Sequence, residues 1–343
     1  FVSKVNLSAT EEKYHSYYRK AMLYNLRTVY VLPDEAEFIY DKLRLMIEFG
    51  YLLRNPLKLD AHNKLLLEVH QEDPEKSINE SVPFRVGRSV ANMSFLLTGL
   101  SGRGKTTLVT KLLDCIPQVI CHEKYKTPDG TVVDLSFEQI SYLYVELHAR
   151  KGQKAFLDAI LEALDGVAGT NYVKKSKSLS VNRMITLVRK AFIVHAVGML
   201  VIDEAQNLAN IKDSLALGNN EKTSVKFVEE IFNRFGIPLF FVGTIATEKL
   251  FGSEMTIMRR ITEEGAFRMT QCDVNGAFWQ YFCEQILPVH LLANQVTEFD
   301  IVCRHLHTLS QGIPAIAKTI AKATISALLN LTDSPKAATL FAP

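Results

Sequence analysis

The stretch Gly99-Leu-Ser-Gly-Arg-Gly-Lys-Thr106 constrains this chain more than any other feature. It satisfies GxxxxGK[ST], a pattern that carries its chemistry only as a turn between a strand and a helix. Both flanks are present: Met93-Ser-Phe-Leu-Leu-Thr98 reads as a strand and Thr106–Leu113 as a helix. Glycines let successive N–H groups wrap around phosphate oxygens, and the helix that follows adds the positive end of its dipole. The residues expected at a nucleotide are therefore Gly99, Ser101, Gly102, Arg103, Gly104, Lys105, Thr106 and Thr107. Lys105 is expected to reach the β- and γ-phosphates and Thr106 to ligate the ion, so the expected cofactors are ATP and Mg2+.

A second apolar strand, Met199-Leu-Val-Ile-Asp203-Glu204, ends in two carboxylates. Acids at the end of a buried strand have a reason to be there when a cation or a water must be handled. Asp203 is expected to hold Mg2+ and Glu204 to polarise the attacking water. Leu239–Val242 reads as a further strand, and Gly243-Thr244 follows it. Carboxyl ends of strands face the ligand crevice in such sheets, which puts Thr244 beside the γ-phosphate or the lytic water. Arg259 and Arg260 follow a helix that starts near Thr247. They are either solvated, or one is an arginine finger offered to a neighbouring subunit's γ-phosphate, with Arg268 in reserve.

The rest of the chain is organised around this alternation. Ile140–Leu147 and Val197–Ile202 read as strands, with a helix over 153–164 between them. Strands alternating with helices imply an α/β fold, a mostly parallel sheet covered on both faces. With 48% hydrophobic residues the chain can bury a substantial core. Residues 10–72 look helical, with a start at Pro33-Asp34-Glu35 and a stop at Asn55-Pro56. The polar stretch 71–80 reads as a linker, and beyond 276 apolar residues recur at helical spacing from Phe278 to Leu329, broken at Pro288 and Gly312-Ile313-Pro314. The expected division is a helical extension at 1–80, an ATPase core at 81–272 and a helical C-terminal domain at 273–343.

A net charge of +2 names no partner, but its distribution is uneven. No carboxylate occurs between Asp165 and Asp203, where Lys174, Lys175, Lys177, Arg183, Arg189 and Lys190 fall. Arg150, Lys151 and Lys154 form a smaller group. These are either solvated faces or contacts to a phosphate backbone, and no recognition helix is visible, so contact with duplex DNA would be sequence-tolerant. The five cysteines form no CxxC pair and fit reduced thiols, and Cys303, His305 and His307 read as packing residues. The apolar run Ala191–Ile202 is shorter than the ~20 residues a membrane span needs. The expectation is a bacterial cytoplasmic protein with no membrane partner.

Taken together, Gly99–Thr107, Leu200-Val-Ile-Asp-Glu-Ala-Gln-Asn-Leu208 and Phe241-Val-Gly-Thr244 resemble the TnsC/TniB AAA+ regulators of DNA transposition. Ile47-Glu-Phe-Gly-Tyr-Leu-Leu-Arg-Asn-Pro56 and Pro117-Gln-Val-Ile120 look like further parts of that family, over residues 28–320. The resemblance implies a P-loop AAA+ parallel sheet with an N-terminal helical extension and a small all-helical lid. It implies ATP-bound subunits that assemble as homo-oligomeric rings or filaments on double-stranded DNA. These would receive a TniQ-type target selector, recruit TnsA/TnsB transposase subunits, and come apart on hydrolysis. The short stretch beyond the lid looks like regulators of CRISPR-associated transposons. One departure stands out: lids of this kind often carry Gly-x-x-Arg, whereas Gly312-Ile-Pro-Ala315 ends in Ala. Either Lys318 substitutes for that arginine or the lid contributes little to γ-phosphate sensing. A DNA-translocating motor and a P-loop nucleotide kinase are the competing readings; the first would step along a strand, the second would phosphorylate a small acceptor.

Overall fold

The computed structural model describes residues 23–53, 93–126, 129–148, 152–210, 227–231, 234–253, 255–287 and 298–331. Its helices are α1 (Ala36–Leu53), α2 (Lys105–Leu113), α3 (Gln153–Ala168), α4 (Tyr172–Ser176), α5 (Val181–Val194), α6 (Ile245–Gly252), α7 (Met255–Ile261), α8 (Ala277–Ile286), α9 (Phe299–Ser310) and α10 (Pro314–Leu331). The strands are β1 (Ser94–Gly99), β2 (Val119–Lys126), β3 (Val132–Ile140), β4 (Tyr142–Glu146), β5 (Met199–Asp203), β6 (Leu239–Val242) and β7 (Ala266–Met269). Short 3-10 turns span Leu23–Arg27 and Ala205–Asn210.

Five strands form one sheet in the order β4-β5-β6-β1-β7. The β4–β5, β5–β6 and β6–β1 pairings are parallel. Every residue of β1, β5 and β6 is buried, which is why these segments read as unbroken apolar runs rather than as alternations. β6 separates the strand that leads into the glycine turn from the strand that ends in Asp203. Helices cover the sheet as expected: Phe156, Leu157, Ile160, Leu161 and Leu164 of α3 recur three or four residues apart and are buried. Each such side chain contributes roughly 1.5–3 kcal/mol. The helix stops at Gly169, whose φ of 64° is the left-handed cap that glycine adopts at no steric cost.

Two elements differ from the sequence expectation. Ile140–Leu147 is not one strand: β4 begins at Tyr142, and Ile140 ends β3, which pairs antiparallel with β2 from Val119↔Ile140 to Lys126↔Val132. Charged residues Glu123, Lys124 and Lys126 run through β2 and mask its period-two signal. β7 is a short strand at the sheet edge with exposed positions, and carries little apolar signal. The helix start at Pro33-Asp34-Glu35 agrees, since Ala36 N–H donates to Pro33 O at 3.0 Å. Asn55-Pro56, Pro288 and the segment 71–80 lie outside the described residues.

The chain packs as two compact units. One comprises Glu37–Gly99 and Lys105–Arg268, and holds the sheet, its helices and nearly all of α1. Tyr51 at the end of α1 donates to Ala196 O at 2.6 Å and Ile140 O at 3.1 Å. A Cβ at Gly198 would lie 2.3 Å from Ser141 O and 2.7 Å from the Tyr51 hydroxyl, so this close approach requires glycine. Phe38, near the start of α1, meets Phe95 and Phe267 at centroid distances of 6.2 and 5.4 Å. The other unit comprises Phe1–Ala36, Leu100–Gly104 and Met269–Pro343. Its core joins Leu23 and Leu26 to Trp279, Phe282, Cys303, Ala317 and Ile325. Among the described residues, no helix is long and apolar enough to cross a membrane.

Candidate nucleotide site

Gly102 and Gly104 take φ values of 81° and 95°, a left-handed backbone that a side chain would strain. A Cβ at Gly104 would meet nothing within 4 Å, so the loop is open there. At Gly102 a Cβ would lie 3.0 Å from Ala315 Cβ and 3.2 Å from Ile313 Cγ2, and Ala315 N–H donates to Gly102 O at 3.2 Å. Successive amides on a positive-φ turn, open at Gly104 and followed by the helix α2, fit a phosphate group. Lys105 is buried and its ammonium donates to Gly99 O at 3.0 Å. Ser101, Thr106 and Thr107 are exposed.

Arg103, in the middle of the turn, has its side chain engaged by protein. Only 5% exposed, its guanidinium donates to Thr270 O at 2.7 Å and pairs with Glu35 at 2.9 Å. It also lies 5.4 Å from the centre of the Phe278 ring. With the side chain held by protein on three sides, what Arg103 offers a phosphate is its backbone.

Asp203 is 1% exposed, and its carboxylate is satisfied locally. The Tyr144 hydroxyl donates to Oδ2 at 2.7 Å and the Glu204 backbone N–H to Oδ1 at 2.6 Å. Burial, and then the Asp203 charge, push the Tyr144 phenol above its usual pKa, so it remains the donor. Glu204 follows with φ of 55°, an uncommon conformation for a residue with a side chain. The Gln206 amide NH2 donates to Glu204 Oε2, while Gln206 Oε1 accepts from Thr244 N–H at 3.0 Å and from the Thr247 hydroxyl at 3.4 Å. The structure thus brings Asp203, Glu204 and Thr244 together through a side chain that the sequence offered only as part of a motif. The β1 end is tied in the same unit: Thr98 donates to Glu248, which also receives Arg268. Tyr144 and Asn207, with Glu146, His148 and Glu162, line a cavity of about 350 Å3. Nothing in the sequence marked Tyr144 or Glu248, because each acts through a partner distant along the chain.

The remaining candidates are dispersed. Arg259 and Arg260 occupy the last turn of α7; Arg260 pairs with Glu229, whereas Arg259 is exposed. Arg268, the reserve finger, is bonded to Glu248 through two nitrogens. Lys318 donates to Val29 O at 2.9 Å, and burial lowers its pKa. Lys154, Lys174, Lys175 and Arg183 are exposed on the unit that holds the sheet, with the Lys175 ammonium 5.2 Å from the Tyr172 ring centre. Arg150 and Lys151 lie outside the described residues.

A search of curated proteins gave no match. Among solved structures, the Walker-type ATPase PABY2304 of Pyrococcus abyssi is similar with a TM-score of 0.44 and 10% identity, over 75% of this chain and 71% of that one. The ORC2 protein of Aeropyrum pernix is similar in its ADPNP-ADP complexes (TM-score 0.42, 13% identity, 71% of this chain and 58% of that one). Its ADP form gives a TM-score of 0.39 and 15% identity, over 77% of this chain and 66% of that one. The chain therefore spans less than two thirds of the length of the Aeropyrum protein. The family model of the AAA domain matches residues 90–251. That match covers the strands bearing both the glycine turn and the Asp203–Glu204 pair, and it makes this segment similar to an AAA domain, in keeping with its P-loop AAA+ fold.

Proposed function

We propose that this ATPase is a nucleotide-controlled assembly switch on duplex DNA, a regulator of transposition of the TnsC/TniB kind. The observation that carries the reading is the exposed set Lys154, Lys174, Lys175 and Arg183 on the same compact unit as Lys105, Asp203 and Glu204, with no carboxylate between Asp165 and Asp203. A surface that neutralises phosphates without reading bases suits a protein that must load on any target. TniQ-type selectors and TnsA/TnsB subunits are the partners that the motif resemblance supplies, and a bacterial cytoplasm is the corresponding location.

The residue roles follow from chemistry. Lys105 and the loop backbone from Gly99 to Gly104 hold the phosphates, with Thr106 and Thr107 at the start of α2. Thr106 and the buried Asp203 are the ligands suited to Mg2+, a hard cation that prefers oxygen donors. When bound, Mg-ATP supplies the phosphoryl group and the charge neutralisation its transfer requires. Glu204 orients a water and takes up its proton, and Thr244 lies within one hydrogen-bonded side chain of it. Arg259, exposed on α7, is the side chain free to serve a neighbouring subunit's site.

Negative-stain microscopy with duplex DNA and a slowly hydrolysed ATP analogue tests the reading. Rings or filaments are expected for the unaltered chain and none for Lys105→Ala, which should also lose most analogue affinity. Monomers that phosphorylate a small acceptor would sink the proposal, and strand movement coupled to turnover would identify a motor.

A further inference from the structure

We infer that Gln206 is a positioning residue that ties the carboxylate of Glu204 to the turn at the tip of β6. The inference rests on the reading of Glu204 as the water-activating group. A side-chain amide has two unlike ends, an NH2 that can only donate and a carbonyl that can only accept. Here each end meets its complement: the NH2 faces Glu204 Oε2, and the carbonyl faces the Thr244 N–H and the Thr247 hydroxyl. Rotating the amide would set its carbonyl against a carboxylate and its NH2 against an N–H, so the surroundings select one orientation.

Gly243 supports the bridge independently. Its φ is not positive, so the backbone there does not require glycine. What requires it is space, because a Cβ would lie 3.0 Å from Gln206 Oε1 and 2.2 Å from Thr247 Oγ1. The turn that carries Gln206 is itself pinned, with Asn207 N–H donating to Glu204 O at 2.9 Å and the Asn207 side chain to Leu147 O at 2.7 Å. Gln206 therefore has a fixed base, and a shift of the Thr244 turn must pass through its amide to the Glu204 carboxylate. A base displaced by about 1 Å loses on the order of a hundredfold in rate, so this tether bears on turnover although it touches no reacting atom.

The alternative is that Gln206 merely staples the Thr244 turn, and Gln206→Glu separates the two. A carboxylate still accepts from Thr244 N–H and Thr247 but repels Glu204 instead of donating to it. In the nucleotide-free protein, protection of the Thr244 amide from hydrogen exchange should stay near wild type. Affinity for a non-hydrolysable ATP analogue should change less than about twofold, while hydrolysis falls about tenfold or more. Gln206→Met, matched in length but unable to donate or accept through an amide, should lose both the protection and the turnover. On a Glu204→Gln background, Gln206→Glu should cost nothing further. Wild-type hydrolysis by Gln206→Glu, or additive losses in the double variant, would overturn the proposal. Full hydrolysis by Glu204→Gln alone would instead overturn the assignment of the base, and the proposal with it.

Discussion

Tyr144 and Asp203 lie on adjacent parallel strands, and the Tyr144 hydroxyl donates to the buried carboxylate of Asp203 at 2.7 Å. Asp203 has two oxygens to satisfy away from water, and the Glu204 N–H takes the other. A hydrogen bond to a charged group contributes about 1.5–3 kcal/mol when both partners are desolvated, and Tyr144 is only half-buried, which favours the low end. Tyr144→Phe keeps the ring and removes the donor. It should lower stability by about 1–2 kcal/mol, read as a shift in the urea midpoint at unchanged slope. Weaker binding of an ATP analogue in the presence of Mg2+ should accompany it, and an unchanged midpoint would show that the bond contributes nothing.

That pair also marks where sequence reasoning stops. β1, β5 and β6 were legible because burial on both faces writes itself as an uninterrupted apolar run, and their carboxyl ends could be located from Gly99, Asp203 and Gly243. The β2–β3 ribbon was harder to read: Val133, Leu135 and Phe137 alternate with polar residues in β3, but β2, with Glu123, Lys124 and Lys126, shows no matching alternation to announce the pairing. At the site, the residues whose backbone or charge carries the chemistry stood out. Those that hold them did not: Tyr144 reaches Asp203 from fifty-nine positions away, and Arg103 reaches Glu35 across sixty-eight. Arg103 shows the consequence most directly, because its place in the turn gives no sign of the buried partner that its side chain takes.

The two neighbouring arginines should separate in experiment. Arg260 is held by Glu229 within its own chain, a pair exposed enough to contribute about 1 kcal/mol or less. Arg260→Ala should therefore hydrolyse ATP nearly as well as the unaltered chain and be slightly less stable. Arg259→Ala should bind ATP normally as a monomer but hydrolyse it poorly. Mixing it with Glu204→Gln should restore part of the turnover, since an intact arginine can then face an intact base. A mixture no more active than either variant alone would mean that Arg259 does not act across subunits.

The basic surface has its own signature. Lys174 and Lys175 are exposed in the last turn of α4, and Lys154 is exposed in the first turn of α3. Reversing charge at Lys174 and Lys175 should weaken duplex binding about equally for any sequence. Each lost phosphate contact should flatten the slope of log affinity against log salt by about 0.9. The measurement is a salt titration of ATP-dependent DNA binding, and a wild-type slope in the variant would make these lysines a solvated face.

Glu204→Gln joins the chemistry to the assembly. The substitution keeps the side chain's shape and removes its charge and basicity, so ATP binding should persist while hydrolysis slows by orders of magnitude, about the 10²–10⁴-fold that a positioned base contributes. The neutral amide can still accept the bond that Gln206 donates, so the turn at Ala205–Asn210 should keep its place. If ATP holds subunits together on DNA, a chain that binds but does not hydrolyse must stay assembled. The variant should form longer-lived complexes on duplex DNA and lose discrimination between intended and unintended targets. A translocating motor with the same substitution would instead stall, with strand movement lost and no gain in lifetime. The measurement is the lifetime of the DNA complex after dilution into buffer containing ATP. A lifetime no longer than that of the unaltered chain, with hydrolysis shown to be absent, would exclude ATP turnover as the step that releases the assembly.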